Sequence, residues 1–181
     1  MSSTSVKQPH SLTIGVLSDT HGQLLPVVVE RLKGVAHIVH AGDVGSPEVL
    51  TALRALAPVT VVRGNCDLGG WAEVLPLVAE VQIGSARVLV AHMAHRLKEL
   101  LARAAREVRA PDSAVREARG PDSVLVAISG HTHQAAVEWR EGVLHLNPGS
   151  AGPLRYGKPR TMAKLTIYDG SRVEPELVRL S

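Results

Sequence analysis

A chain of 181 residues with 45% hydrophobic content has the material for one domain with its own core, and its single cysteine, Cys66, rules out an internal disulfide. Aromatic residues make up 2% and phenylalanine is absent, which argues against the stacking platforms of single-stranded nucleic-acid binders. A formal charge of +3 favours small anionic partners without demanding nucleic acid.

Residues 1–10 carry no apolar stretch and are expected to be a flexible tail ahead of a domain spanning 11–181. With no run of 18 apolar residues, no membrane span is expected, and the chain reads as soluble and cytoplasmic. Apolar, β-branched runs at Leu12–Leu17, His37–Ala41 and Val59–Val62 predict strands. Helical stretches at Leu24–Leu32 and Glu48–Ala57 separate them in a βαβ rhythm, with Ser46 and Pro47 as the cap and first-turn signal of the second. Val88–Ala91 predicts a further strand. Leu97, Leu100, Leu101, Ala104, Ala105 and Val108 then fall at helical spacing opposite Glu99, Arg103, Arg106 and Glu107, an amphipathic helix. Val124–Ile128 reads as another strand. Glu141-Gly142 and Asp169-Gly170 each sit between strand-like runs and predict two hairpins, making the last third mostly antiparallel.

Residues 106–115 and 116–125 are near-copies of one decapeptide, expected to be a duplicated surface loop, with a flap or a subunit contact in a homo-oligomer as the sharper alternative.

Polar segments follow these strands directly: Asp19-Thr20-His21, Gly42-Asp43, Gly64-Asn65-Cys66-Asp67, His92 and Gly130-His131-Thr132-His133. Carboxylate, amide and imidazole groups at strand ends can converge, and together they form mixed N/O shells for divalent metals. Taken singly, Asp, Asn and His beside glycine are also ordinary turn residues.

This order of motifs, completed by Asn147-Pro148-Gly149-Ser150, resembles the calcineurin-like metallophosphoesterases, and most closely their small bacterial and archaeal phosphodiesterase branch. The likeness runs from Leu12 to Tyr168. It implies an α/β fold, a four-layer αββα sandwich of two mixed β-sheets flanked by helices, with the metals at one edge. It also implies that Asp19, His21, Asp43 and His133 hold a first ion, and that Asp43, Asn65, His92 and His131 hold a second. Asp43 would bridge them through its two oxygens. Manganese is the first candidate, with Fe, Zn, Ni and Co as others.

The implied reaction is hydrolysis of a small anionic phosphodiester by a metal-bridging hydroxide, with Asn65, Cys66 and Asp67 as the catalytic segment. A phosphomonoesterase or nuclease with the same centre, or a non-catalytic scaffold like a vesicle-coat subunit of the same fold, are the alternatives. Cys66 stands where many relatives carry a histidine beside the leaving oxygen. A thiol is a weak donor, so aryl leaving groups should be favoured over alkoxides.

The segment Ala91-His92-Met93-Ala94-His95 departs from the branch, because Met93 replaces a glycine. His92 is the expected ligand, and His95 takes its place if the register slips. Arg63 and Arg155 are candidate substrate contacts, and His40 a partner standing behind the ligands. His37 and His145 read as core histidines, and His10 belongs to the tail.

Overall fold

The computed structural model describes residues 11–109, 124–154, 157–169 and 172–180. The expected tail, residues 1–10, most of the decapeptide repeat, and Arg155 lie outside them. Ten strands form two five-stranded sheets. The first has the order β10-β9-β1-β2-β3, built from β1 (Ser11–Leu17), β2 (His37–His40), β3 (Val59–Val61), β9 (Thr161–Tyr168) and β10 (Val173–Arg179). The second has the order β4-β5-β6-β8-β7, from β4 (Val78–Ile83), β5 (Ala86–Ala91), β6 (Val124–Ile128), β7 (Ala136–Arg140) and β8 (Val143–Asn147). Both are mixed, since β1, β2 and β3 run parallel while β9 and β10 are antiparallel, and β5, β6 and β8 run parallel between antiparallel β4 and β7.

Period-two alternation sorts the side chains into layers. From β1, Ile14 and Val16 join Val88 and Val90 of β5, Val126 and Ile128 of β6, and Leu144 and Leu146 of β8 in a core between the sheets. Leu17 points the other way, onto helices α1 (Pro26–Leu32) and α2 (Pro47–Arg54), through Val28, Leu32, Leu50 and Leu53. On the far side, Leu89 and Ala91 of β5 and Ala127 of β6 pack beneath Leu97, Leu100 and Leu101, at the start of α4 (Lys98–Arg109). The result is the four-layer αββα sandwich. Among the described residues, no helix is long and apolar enough to cross a membrane.

Several details differ from the sequence reading. Helix α1 starts at Pro26 rather than Leu24, because the residue before a proline is driven out of the helical region; Leu25 sits at φ −69°, ψ 144°. Ser46 occupies the N-cap of α2 ahead of Pro47, but its hydroxyl does not cap the helix. The amphipathic segment splits into a 3-10 turn, Ala94–Leu97, and α4. Ala104 of its apolar stripe is buried but Ala105 is exposed. Strand β4 and the short helix α3 (Gly70–Glu73) are absent from the sequence reading. At the expected β7–β8 hairpin, Glu141 (φ 49°) and Gly142 (φ 78°) both take positive φ, as a two-residue type I′ turn requires.

Candidate metal centre

Every parallel strand of both sheets ends at one edge of the sandwich, and the ligand segments are the loops they run into. The first sheet delivers Asp19 and His21 after β1, Asp43 after β2 and Asn65 after β3; the second delivers His92 after β5 and His131 and His133 after β6. Backbone hydrogen bonds lash these loops together. The Asp19 N–H donates to Gly42 O (3.0 Å), that of His21 to Asp43 O (2.9 Å), and that of Gly130 to His92 O (3.0 Å). Gly64 passes so close to the Asp43 backbone that a Cβ on it would lie 2.1 Å from Asp43 N.

Three overlapping ligand groups result. Asp19, His21 and His133 offer atoms within 4.8 Å of one another, as do His21, Asp43 and Cys66, and Asp19, Asp43 and His92. Asp43 Oδ2 lies 3.3 Å from His92 Nε2 and 4.0 Å from His21 Nε2. Its Oδ1 accepts the Cys66 N–H at 2.7 Å. Oδ2 is therefore the Asp43 oxygen turned towards both rings, while Oδ1 is held by the loop after β3.

Asn65 Oδ1 lies 3.0 Å from His92 Nε2, and its amide donates to Cys66 Sγ at 3.3 Å. His131 stands exposed at the rim, its ring edge-on to His92 with centroids 5.2 Å apart. His95 lies exposed on the 3-10 turn, away from this cluster. Met93 has φ −98°, ψ 123°, so nothing in the backbone there requires the glycine it replaces.

Three features fit a bound cation. Asp19 Oδ1 is fully buried and has no hydrogen-bond donor among the described residues; His133 Nε2 lies 3.1 Å away without hydrogen-bond alignment. His92 Nδ1 lies 2.8 Å from the Ala41 carbonyl, which holds the proton on that nitrogen and leaves Nε2 aimed at Asp43 and Asn65. Six described residues other than glycine have positive φ, and five of them are Asp19, His21, Asp43, His131 and His133. Such backbone costs of order 1–3 kcal/mol per residue and persists where the surroundings over-determine it, typically at functional sites.

The electrostatics agree. Burial opposes ionisation of Asp43, but the His92 ring and the Cys66 N–H outweigh it and hold the carboxyl below the usual carboxylate range. Burial likewise opposes charge on His92, yet Asp43 and Asp19 hold its pKa above the ordinary histidine value.

His40 lies fully buried behind the ligands. Its Nδ1 accepts from the Gly42 N–H at 3.3 Å and its Nε2 meets Thr20 Oγ1 at 2.9 Å, while the Thr20 hydroxyl donates to Val44 O. The Gly42 contact assigns the proton to Nε2, and one neutral ring ties together the loops of Asp19 and Asp43.

The Asn147-Pro148-Gly149-Ser150 loop does similar work from the other sheet. Asn147 Nδ2 donates to Gly130 O at 2.9 Å, and Ser150 Oγ to Asp19 O at 3.0 Å. Asp67, expected in the catalytic segment, takes the Gly45 N–H on Oδ1 (2.8 Å) and the Gly64 N–H on Oδ2 (2.7 Å). With both oxygens so engaged, it braces the ligand loops. Arg63 is half-buried beside Gly64, and His37 bonds Thr60 away from the centre.

If cations occupy this edge, they should stabilise the fold. At one hundred times its dissociation constant a ligand adds about 2.7 kcal/mol, which for a chain of this size raises Tm by roughly 5–10 °C. Thermal scans with and without manganese are expected to show that rise at pH 8 and a smaller one at pH 6, where a proton competes for His92.

A two-sheet sandwich with carboxylates and imidazoles gathered where its parallel strands end is a metallophosphoesterase architecture, and comparison with known proteins agrees. Residues 12–170 match the calcineurin-like phosphoesterase superfamily domain. A probable metallophosphoesterase of Methanothermobacter thermautotrophicus is 36% identical over 175 residues, covering 93% of this chain and 92% of the relative. The structure of an archaeal phosphodiesterase superposes with a TM-score of 0.67 at 24% identity, covering 93% of this chain and all of the other. Vps29 of Entamoeba histolytica in complex with zinc has a TM-score of 0.62 at 22% identity, covering 93% and 99%. The chain belongs to the calcineurin-like phosphoesterase superfamily.

Proposed function

We propose that the protein is a two-metal phosphodiesterase acting on small anionic diesters, with manganese the first metal to test. The observation that carries this reading is the convergence of Asp19, His21, Asp43, Asn65, His92, His131 and His133 from two sheets, five of them on left-handed backbone. Asp19, His21, Asp43 and His133 would hold one ion, and Asp43, Asn65, His92 and His131 the other. Bound divalent cations supply Lewis acidity there, lowering the pKa of a bound water from about 15.7 towards about 7 and offsetting charge on the phosphoryl oxygens.

The chain's own part is orientation. Ala41 O fixes the His92 tautomer, Cys66 N–H fixes the Asp43 rotamer, and His40 and Asp67 hold the loops at a separation suited to both groups. Asn65 stands between His92 and Cys66, so it orders the side on which a leaving oxygen would depart. Cys66 is exposed there and, as a thiol, donates weakly.

The test is a grid of bis- and mono-nitrophenyl phosphates against each divalent ion. Diester turnover above monoester turnover with manganese is expected; bound metal without turnover on any ester would favour the scaffold alternative that the likeness to Vps29 keeps open. Because leaving-group protonation is weak, an aryl methyl diester should be cleaved far faster than a dialkyl one. Cys66→His should narrow that gap by about 10²-fold, the usual worth of a placed general acid. An unchanged ratio would remove Cys66 from the leaving-group side.

A further inference from the structure

A cavity of 240 Å³ opens directly beside the centre, with the ligands Asn65 and His92 in its inner wall. Its sides come from two places: the segment after β3, with Arg63 and Leu68, and the segment after β5, with Met93 and Arg96. Leu77 completes an apolar surface, and Leu68 and Leu77 are 77% and 40% exposed.

Arg63 is half-buried and Arg96 exposed, and among the described residues neither guanidinium forms an ion pair. Two carboxylates also line the cavity. Asp67 and Glu73 balance the two arginines in formal charge, but Asp67 turns both oxygens to the N–H groups of Gly45 and Gly64 and Glu73 sits at the exposed end of α3, so both guanidinium forks are left without a carboxylate acceptor. The pocket thus joins apolar wall from Leu68, Leu77 and Met93 to two guanidinium donors, and it is continuous with the side on which Asn65 and Cys66 stand.

We propose that this pocket binds the leaving arm of the substrate and selects arms that carry a second anionic group on an apolar spacer. The spacer lies against Leu68, Leu77 and Met93, and the anion meets Arg63 and Arg96, whose planar donor forks match carboxylate or phosphate. This rests on the phosphodiesterase reading above and adds to it a substrate class. It also gives Met93 a role: the side chain that replaces the branch glycine is half-buried and lines this wall.

The test uses three methyl aryl phosphodiesters whose aryl ring carries a para carboxymethyl, ethyl or aminomethyl group, compared on the manganese-loaded full chain. Phenol release gives kcat/KM and titration calorimetry gives affinity. The anionic arm is expected to exceed the neutral one by about tenfold in both, the worth of two partly exposed charge contacts, with the cationic arm weakest. In Arg63→Gln/Arg96→Gln the ratio of the anionic to the neutral ester should fall from about ten to about one.

Equal binding of all three arms by the unaltered protein, or an equal loss on all three in the variant, overturns the proposal; the second result would put the arginines on the scissile phosphate. If no diester is cleaved at all, the phosphodiesterase reading falls, and the calorimetric order of the three esters still decides the pocket.

Discussion

Asp43→Ala is expected to cut kcat/KM for bis-nitrophenyl phosphate by about a thousandfold or more, since several kcal/mol of cation-derived stabilisation should go with it. The reason is positional. Asp43 Oδ2 faces both His92 and His21, and Asp19 is the other carboxylate within reach of both rings, so the loss of Asp43 removes one of two carboxylates that the ligand groups share instead of thinning one group. Metal content measured on the purified variant should fall from two ions to one or none. His92→Ala should lose one ion, whereas His95→Ala, on the exposed 3-10 turn, should lose neither metal nor activity. An Asp43→Ala protein that kept two ions and full turnover would refute the centre as drawn.

The second large effect concerns acid. Burial, with the nearby His92 charge adding to it, pushes His40 down to about 3. Protonation would place a second N–H on Nδ1, directly against the Gly42 N–H it now accepts. Below the unfolded value of about 6.5 the unfolded chain takes up this proton and the native one does not, so stability rises with pH by about 1.4 kcal/mol per unit between pH 3 and 6.5.

Other groups separate cleanly. His92, raised in the fold, contributes stability that is complete below about 6.5 and is lost only above it. Asp43, lowered in the fold, contributes stability lost only below about 4. His37 and His145, lowered by burial, act in the same direction as His40 but lie in more open surroundings. Urea unfolding of the metal-free protein at pH 6.5 and 5.0 should therefore differ by about 2 kcal/mol, and His40→Gln should flatten the difference whatever it does to stability overall. An equal slope in the variant would clear His40 of the effect.

Much of the centre is legible because its candidate ligands directly follow apolar, β-branched runs of strand length. Val16-Leu17 before Asp19, Val39 before Asp43 and Ala127-Ile128 before His131 each announce a strand end, and parallel strand ends gather at one edge. The partition into two sheets was carried by the resemblance, since local periodicity says nothing of which strands share a ladder.

Strand β4 carries its own signal in the sequence. Ala79, Val81 and Ile83 alternate with Glu80 and Gln82 and run into Gly84-Ser85, a hairpin turn. The bracing contacts of Asp67 are not legible, because a carboxylate in a ligand motif and one held by two backbone N–H groups have the same letter; only the tertiary approach of Gly45 and Gly64 tells them apart. The same applies to Asp43, where the Cys66 N–H decides which oxygen faces inward.

The left-handed geometry at five ligand positions has a consequence for how such a protein changes over time. Each of these side chains is kept at a conformational cost that a glycine would not incur, so few exchanges are open to these positions: glycine relieves the backbone, asparagine or aspartate tolerates it, and a β-branched residue adds to the strain.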